Sequence, residues 1–290
     1  MVVPAPGLNE SELSQSGKFL HIVIEPPKGW APIALNELWK FRELVFFLTW
    51  RDIKVRYKQT ALGITWAILQ PVLTMIIFSI IFGRMAKLPS DGIPYPIFTF
   101  TALLPWQLFA FALTQSSNSL VGNQNLISKV YFPRLVIPFS SVLAGVVDFM
   151  IAFAVIIGLL FYYGIGLTPA VFLLPIFLLL ALISAIAVGL WLSALNVKYR
   201  DIRYVVPFLT QFWMYATPIA YSSSLIPEKW HWLYSLNPMV GVVEGFRLSL
   251  LGKSSLDVLS LCISAFMVIV FLIGGLYYFK RMETSFADII

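Results

Sequence analysis

Residues 169–195 read PAVFLLPIFLLLALISAIAVGLWLSAL, 27 positions from Pro169 to Leu195 without one charged side chain. A helix crossing the roughly 30 Å hydrocarbon core of a bilayer needs about 20 apolar residues. This stretch is therefore long enough to cross a membrane. The rest of the 290-residue chain agrees, with 59% hydrophobic residues, 12% charged residues and a mean hydropathy of +0.84. Soluble domains carry about 25% charged residues, so too little charge is present here to cover a water-soluble globule. The same composition excludes disorder, which needs high charge and few aromatics. What remains is an all-α membrane protein that crosses the bilayer several times.

Working outward from 169–195, five more spans are expected, giving six transmembrane helices. The first runs from about Leu62 to Gly83 and the second from about Pro96 to Leu120. The third runs from about Pro138 to Tyr163, followed by the quoted one. The fifth, from about Val205 to Tyr221, is the shortest, and the sixth runs from about Leu256 to Phe279. Met239 to Leu251 is also apolar apart from Glu244 and Arg247, but it is too short to cross. Pro227 and Pro238 divide that region into short re-entrant helices before the last span, joined near Asn237-Pro238.

The formal net charge is +6. In a membrane protein this excess reads as Lys and Arg held on the cytoplasmic side rather than as a nucleic-acid surface. Fifteen of the 20 Lys and Arg lie before the first span, in the second-to-third and fourth-to-fifth loops, and after the last span. Both termini are therefore expected in the cytoplasm, which an even number of spans requires. Residues 1–19 lack the apolar core of a signal peptide, so the first span is expected to act as the insertion signal. One cysteine, Cys262, cannot form an internal disulfide.

Residues 1–35 are rich in Pro and Gly and are expected to form a cytoplasmic arm, with a short strand conceivable at His21–Ile24. At 36–60 an amphipathic interfacial helix is expected. Phe46, Trp50, Ile53 and Tyr57 follow one helical stripe, Leu38, Phe41, Val45 and Leu48 extend the apolar side, and Arg51, Lys54 and Lys58 lie on another face with Arg56 nearby. A basic helix with aromatics lies in the headgroup plane. It serves either as a plain anchor to membrane lipid or as a lateral gate that lifts when a lipid-linked cargo enters. Residues 61–282 would form the six-span domain, and 283–290 a cytoplasmic tail.

Catalytic chemistry is not legible. His21 and His231 are far apart, and neither a Cys/His metal pattern nor a carboxylate pair at helical spacing exists within a span. Gly252-Lys253-Ser254 is not a phosphate loop, because Arg247 stands where that loop needs its first glycine. Asp148 in the third span has no evident Arg or Lys mate, and reads as a hydrogen-bond anchor ahead of a proton carrier. Glu244 and Arg247, three residues apart, can satisfy each other or line an outer vestibule. Gly241 and Gly245 allow close helix packing. Trp106, Trp230, Trp232, Trp39 and Trp50 suit the interface belt. Trp66, Trp191, Trp213 and Tyr215 are left within the spans, as packing residues or as a stacking path for sugar rings.

Four blocks then match one family. They are Arg51-Asp52-Ile53-Lys54-Val55-Arg56-Tyr57-Lys58-Gln59-Thr60 with Leu62-Gly63 and Trp66-Ala67-Ile68-Leu69-Gln70-Pro71; Asn125 to Arg134; Asn196 to Ile202; and Leu236-Asn237-Pro238-Met239 with Glu244-Gly245-Phe246-Arg247. In order and spacing, across about Val45 to Arg281, the chain resembles the type-2 ABC exporter permeases that move polysaccharides. Its nearest likeness is to the membrane subunit of O-antigen exporters.

The resemblance implies a homodimer of six-span chains in the bacterial inner membrane, bound to two ATP-binding cassette subunits. ATP and magnesium would sit on those partner subunits, with no cofactor in this chain, which would not itself be an enzyme. The cargo would be an undecaprenyl-linked polysaccharide, O antigen first, teichoic acid or capsule second. A membrane-embedded glycolipid enzyme and an ion-coupled carrier working through Asp148 are the alternatives of other classes. The family's coupling helix maps onto Asn123, Gln124, Asn125, Leu126, Ile127, Ser128, Lys129, Val130, Tyr131 and Phe132. There Asn123 is expected as the cap and Pro133 as the stop. Trp50, Arg51, Lys54, Arg56, Tyr57 and Lys58 would form the gate helix, and Trp66, Trp213, Tyr215, Glu244 and Arg247 a glycan path.

Overall fold

The computed structural model describes residues 35–58, 63–253 and 258–289, and among these every regular element is helical. All but the last residue of the arm expected at 1–35, including His21–Ile24, lies outside the described residues. Helices α1 (Leu35–Lys40) and α2 (Arg42–Lys58) lead to α3 (Gly63–Phe78), whose end continues as a π-helical turn, Ser79–Met85. Next come α4 (Tyr95–Gly122), the short α5 (Gln124–Lys129) and α6 (Val136–Tyr162). A 3-10 turn at Pro169–Leu173 opens α7 (Leu174–Lys198), which is followed by α8 (Ile202–Tyr215). The short α9 (His231–Tyr234), α10 (Pro238–Leu251) and the long α11 (Val258–Ile289) complete the order.

Five of these stretches are long and apolar enough to cross a membrane: Thr65–Met85, Tyr95–Gly122, Val136–Tyr162, Pro169–Lys198 and Val258–Glu283. They answer to five of the six expected spans. The expected fifth, Val205–Tyr221, forms a helix only as far as Tyr215. Thr217 precedes Pro218, and a residue before proline is driven out of the α-helical region. The resulting 14-residue helix is roughly 21 Å long at about 1.5 Å per residue. No break separates the sixth span from the expected tail, because α11 continues to Ile289 with Phe286 fully buried.

Helix α4 is the axis of the bundle. Of its most apolar window 78% is buried, against 17% for the α3 and α11 stretches. It packs on α3, α6, α7, α8 and α10. Small residues bring these helices together, as membrane interiors require when lipid is as apolar as the side chains. A Cβ on Gly189 of α7 would lie 2.5 Å from the Ser116 hydroxyl of α4, and one on Gly145 of α6 would lie 2.6 Å from the Phe111 ring. Gly241 and Gly245 of α10 are equally tight, against Ser264 of α11 and Phe177 of α7. Asn196 fastens the C-terminal ends of α7 and α4 by donating to the Ser117 carbonyl at 2.9 Å and to Asn118 Oδ1 at 3.1 Å.

Helix α2 carries apolar side chains on two faces. Phe46, at 72% exposed, and Trp50, at 50%, point away from the bundle. Val45 and Leu48, expected to extend the apolar side, pack inward together with Leu44, as does Phe41 just before the helix, and α2 lies against α6.

Gly189→Leu should lower the thermal midpoint of the detergent-purified protein by overpacking, a destabilisation of about 1–3 kcal/mol. Gly158→Leu, where an added Cβ meets nothing within 4 Å, should unfold like the parent.

Candidate functional site

The short helix α5 is too brief to be stable by itself, so its position comes from anchors. Ile127 and Phe132 are buried, whereas Val130 and Tyr131 are exposed, together with Gln124, Asn125, Ser128 and Lys129. The face offered outward is therefore amide, hydroxyl, ammonium and one phenol ring. Two details differ from expectation. Asn123 does not cap α5 through its side chain; Nδ2 donates back to the Ser119 carbonyl at 2.8 Å and finishes α4. The helix stops at Lys129, before Val130 turns extended, and Pro133 comes only later. Phe132, expected within the coupling helix, lies beyond its end and faces inward because it is the apolar anchor of the segment that leaves α5.

Next to α5 the ends of α4 and α7 and the start of α8 form a cleft of about 480 Å³. It is lined by Asn118, Gln124, Asn196, Arg200 and Arg203, with Val121 and Gly122. The blocks at 125–134 and 196–202 are far apart in sequence. Gln124, just before the first, shares this cleft with Asn196 and Arg200 of the second, and the buried Asn196 bonds to the end of α4.

The basic end of α2 is fastened to α6. Arg56 Nη2 lies 2.7 Å from Asp148 Oδ2, the Tyr57 hydroxyl donates to Asp148 Oδ1, and the Arg56 guanidinium stacks 4.1 Å over Phe111. Burial and the Asp148 carboxylate hold the Tyr57 phenol well above its ordinary pKa. Asp148 therefore does have an arginine mate, contrary to the expectation from sequence. The partner lies 92 positions earlier, on another helix. Arg51 pairs with its neighbour Asp52 at 2.7 Å, and Lys54 and Lys58 are exposed.

At the other end, Asn237 is a junction that the sequence marks through Asn-Pro at a helix start. Its Oδ1 accepts from Met239 N at 3.0 Å and from Trp213 Nε1 at 2.8 Å, and its Nδ2 donates to Thr217 Oγ1 at 3.0 Å. The beginning of α10 is thereby tied to the end of α8. The other end of α10 stops at Gly252, whose φ of 64° is the left-handed cap position, against Thr168. Glu244 and Arg247 are both buried and form their own pair at 2.9 Å. The guanidinium also lies 3.7 Å over Phe98 and donates to the Ile219 carbonyl, while Ser223 donates to Glu244.

The aromatics divide. Trp66 and Tyr215 are half-exposed, while Trp213 is edge-on to Phe109 at 5.1 Å. Trp191 stacks on Tyr278 at 4.9 Å and binds α7 to α11. Trp106, expected in the interface belt, is 3% exposed and packs on Phe109, because it lies on the all-buried helix α4. Among the described residues no group of three or more His, Cys, Asp or Glu could hold a metal ion.

Residues 43–251 match the family model described as ABC-2 type transporter. A protein of Klebsiella pneumoniae named O-antigen export system permease protein RfbA is 34% identical over 251 residues, covering 86% of this chain and 95% of the relative. A Myxococcus xanthus protein of the same name is 29% identical over 257 residues, covering 88% and 98%. The Escherichia coli polysialic acid transport protein KpsM is 28% identical over 242 residues, covering 81% and 92%.

Asp148→Asn keeps an acceptor for Tyr57 and gives up an ion pair with a part-exposed arginine. Thermal unfolding should show a loss of about 0–1 kcal/mol. Asp148→Ala leaves the phenol and the guanidinium without that carboxylate, and should lose about 1–3 kcal/mol.

Proposed function

This chain belongs to the ABC-2 type transporter family, and on that premise we propose that its cargo is a lipid-linked polysaccharide, most specifically O antigen. It is the permease subunit of a type-2 ABC exporter and a multi-pass protein of the inner membrane. Membership implies ATP-binding partner subunits. The observation that carries the cargo is 34% identity, across 86% of the chain, to a protein named as an O-antigen export permease. The likeness to KpsM supports capsular polysaccharide as the second reading.

In this reading two copies assemble with two ATPase subunits, which bind ATP and magnesium, and the glycan rides on an undecaprenyl carrier. The exposed stripe Tyr204, Val205, Phe208, Phe212 and Tyr215 on α8 supports a second copy as its neighbour. Both termini face the cytoplasm, supported by the Lys and Arg distribution. Helix α8 and the chain after it make the fifth of six crossings. Helices α9 and α10 re-enter from the outer side, which the tie between Asn237 and the end of α8 supports.

Helix α2 is the lateral gate, hinged where Arg56 and Tyr57 meet Asp148. Its exposed Phe46 and Trp50 face lipid. Sugar rings have apolar C–H faces, so half-open aromatic rings such as Trp66 and Tyr215 hold a polymer without a strong binding point. Trp213, Glu244 and Arg247 support that path from behind, since all three are occupied by protein contacts. The outward face of α5 receives the ATPase stroke.

Two experiments test this. Deleting the gene should remove the O-antigen ladder from lipopolysaccharide while the capsule remains; an intact ladder refutes the cargo. Lys129→Glu with Tyr131→Ala changes only exposed groups, and should cut surface glycan about tenfold with ATP turnover of the purified complex retained. Normal export in that variant refutes the coupling role. Asp148→Asn should still export, and loss of export there would revive the ion-coupled carrier.

A further inference from the structure

The segment that leaves α5 is held in a reciprocal clasp with the last turns of α11, 149 positions away. The backbone N–H of Arg134 donates to Glu283 Oε1 at 3.1 Å, and the Arg134 guanidinium donates to the Glu283 backbone carbonyl. Each residue thus grips the other's main chain with its side chain. Lys280 holds the second oxygen, Glu283 Oε2, at 2.7 Å and fixes the carboxylate. The Arg134 guanidinium also lies 5.9 Å over the ring of Phe286, which is buried edge-on to Phe279. On the other strand of the clasp Phe132 and Leu135 are buried on either side of Pro133 and Arg134.

We propose that Glu283 is a positioning residue of the transport cycle, fastening the exit of α5 to α11 so that the two move together. The proposal rests on reading α5 as the element that the ATPase displaces. Between Lys129 and the start of α6 the chain is not helical, and Val130 is extended. An extended tether transmits a push poorly, because its soft φ and ψ absorb the motion. The clasp bypasses the tether. A charge-assisted bond to a backbone N–H is short and directional, and the guanidinium adds a second attachment at a different angle. What it grips is one 32-residue helix, which packs along α7 and reaches α10 at its far end. There Ser264 of α11 donates to the Ser235 carbonyl at 2.9 Å and meets Gly241. The last helix is thus a rod whose attachments at Ser264 and Glu283 lie roughly 28 Å apart at about 1.5 Å per residue, joining the α5 exit to the α9–α10 turn.

The experiment measures export per ATP. Surface glycan is followed by a pulse of labelled sugar in cells, and ATP turnover is followed in the purified permease–ATPase complex. Glu283→Ala removes both side-chain bonds and should lower export per ATP about threefold to tenfold. Glu283→Gln keeps an oxygen for the Arg134 N–H and should stay near the parent. A purely structural staple would lower the amount and melting temperature of the complex but leave the ratio of the surviving complex unchanged. An unchanged ratio in Glu283→Ala therefore overturns the proposal. If that variant fails to accumulate, Arg134→Lys decides: it keeps the backbone bond, loses the fork and the ring contact, and should also lower the ratio; a parental ratio overturns it. If Lys129→Glu with Tyr131→Ala uncouples while the Glu283 variant does not, the clasp is refuted and the coupling role of α5 stands. Parental ratios in both refute that role as well.

Discussion

A backbone amide inside hydrocarbon has no water to bond, so each segment at that depth must satisfy its own N–H and C=O groups. That constraint makes the chain helical, and it also removes the usual reason for helices to associate, since lipid tails are as apolar as leucine. Association then depends on how closely backbones can approach. The contacts of Gly189 with Ser116 and Gly145 with Phe111 are the means, and they explain why α4 could be buried on nearly every side. A larger side chain at either glycine would push two helices apart and loosen the contacts that position the loops after α4 and α7. The Asn196 bond to the Ser117 carbonyl depends on the same approach, and through it so does the cleft beside α5.

Charge obeys a related rule. Glu244 with Arg247 and Asp148 with Arg56 are taken out of water only as pairs, each with further protein contacts. The first pair lies on one helix and draws in Phe98, Ile219 and Ser223. It locks α10 to its surroundings from within. The second crosses from α2 to α6 and is partly open to solvent. A pair of that kind contributes little to stability, yet it fixes which way a basic helix faces.

Much of this was legible in the sequence. Apolar runs of sufficient length located five helices long enough to cross a membrane, because length and apolarity are local properties that tertiary contacts do not override. The four motif blocks located the family. What escaped was pairwise. Nothing near Asp148 indicates Arg56, and nothing near Arg134 indicates Glu283, since these contacts exist only after the helices pack. The stripe assigned to α2 divides, with Tyr57 bonded to α6 and Phe46 and Trp50 facing outward, for a physical reason. In a helix with apolar residues on two faces, periodicity cannot tell the protein side from the lipid side. The reading of Trp106 failed: a tryptophan expected at the headgroups lies well inside α4, a helix enclosed by others. The end of α8 was available from Pro218 but was outweighed by the continuing apolar composition.

If α8 is the proposed fifth crossing, its brevity bears on the bilayer itself. A helix of roughly 21 Å would then stand where the surrounding oil is roughly 30 Å deep. Mismatch of that size is met by local thinning or by polar chain descending to the helix end. On the proposed reading, a sugar polymer beside α8 would meet less hydrocarbon than beside any of the five longer helices.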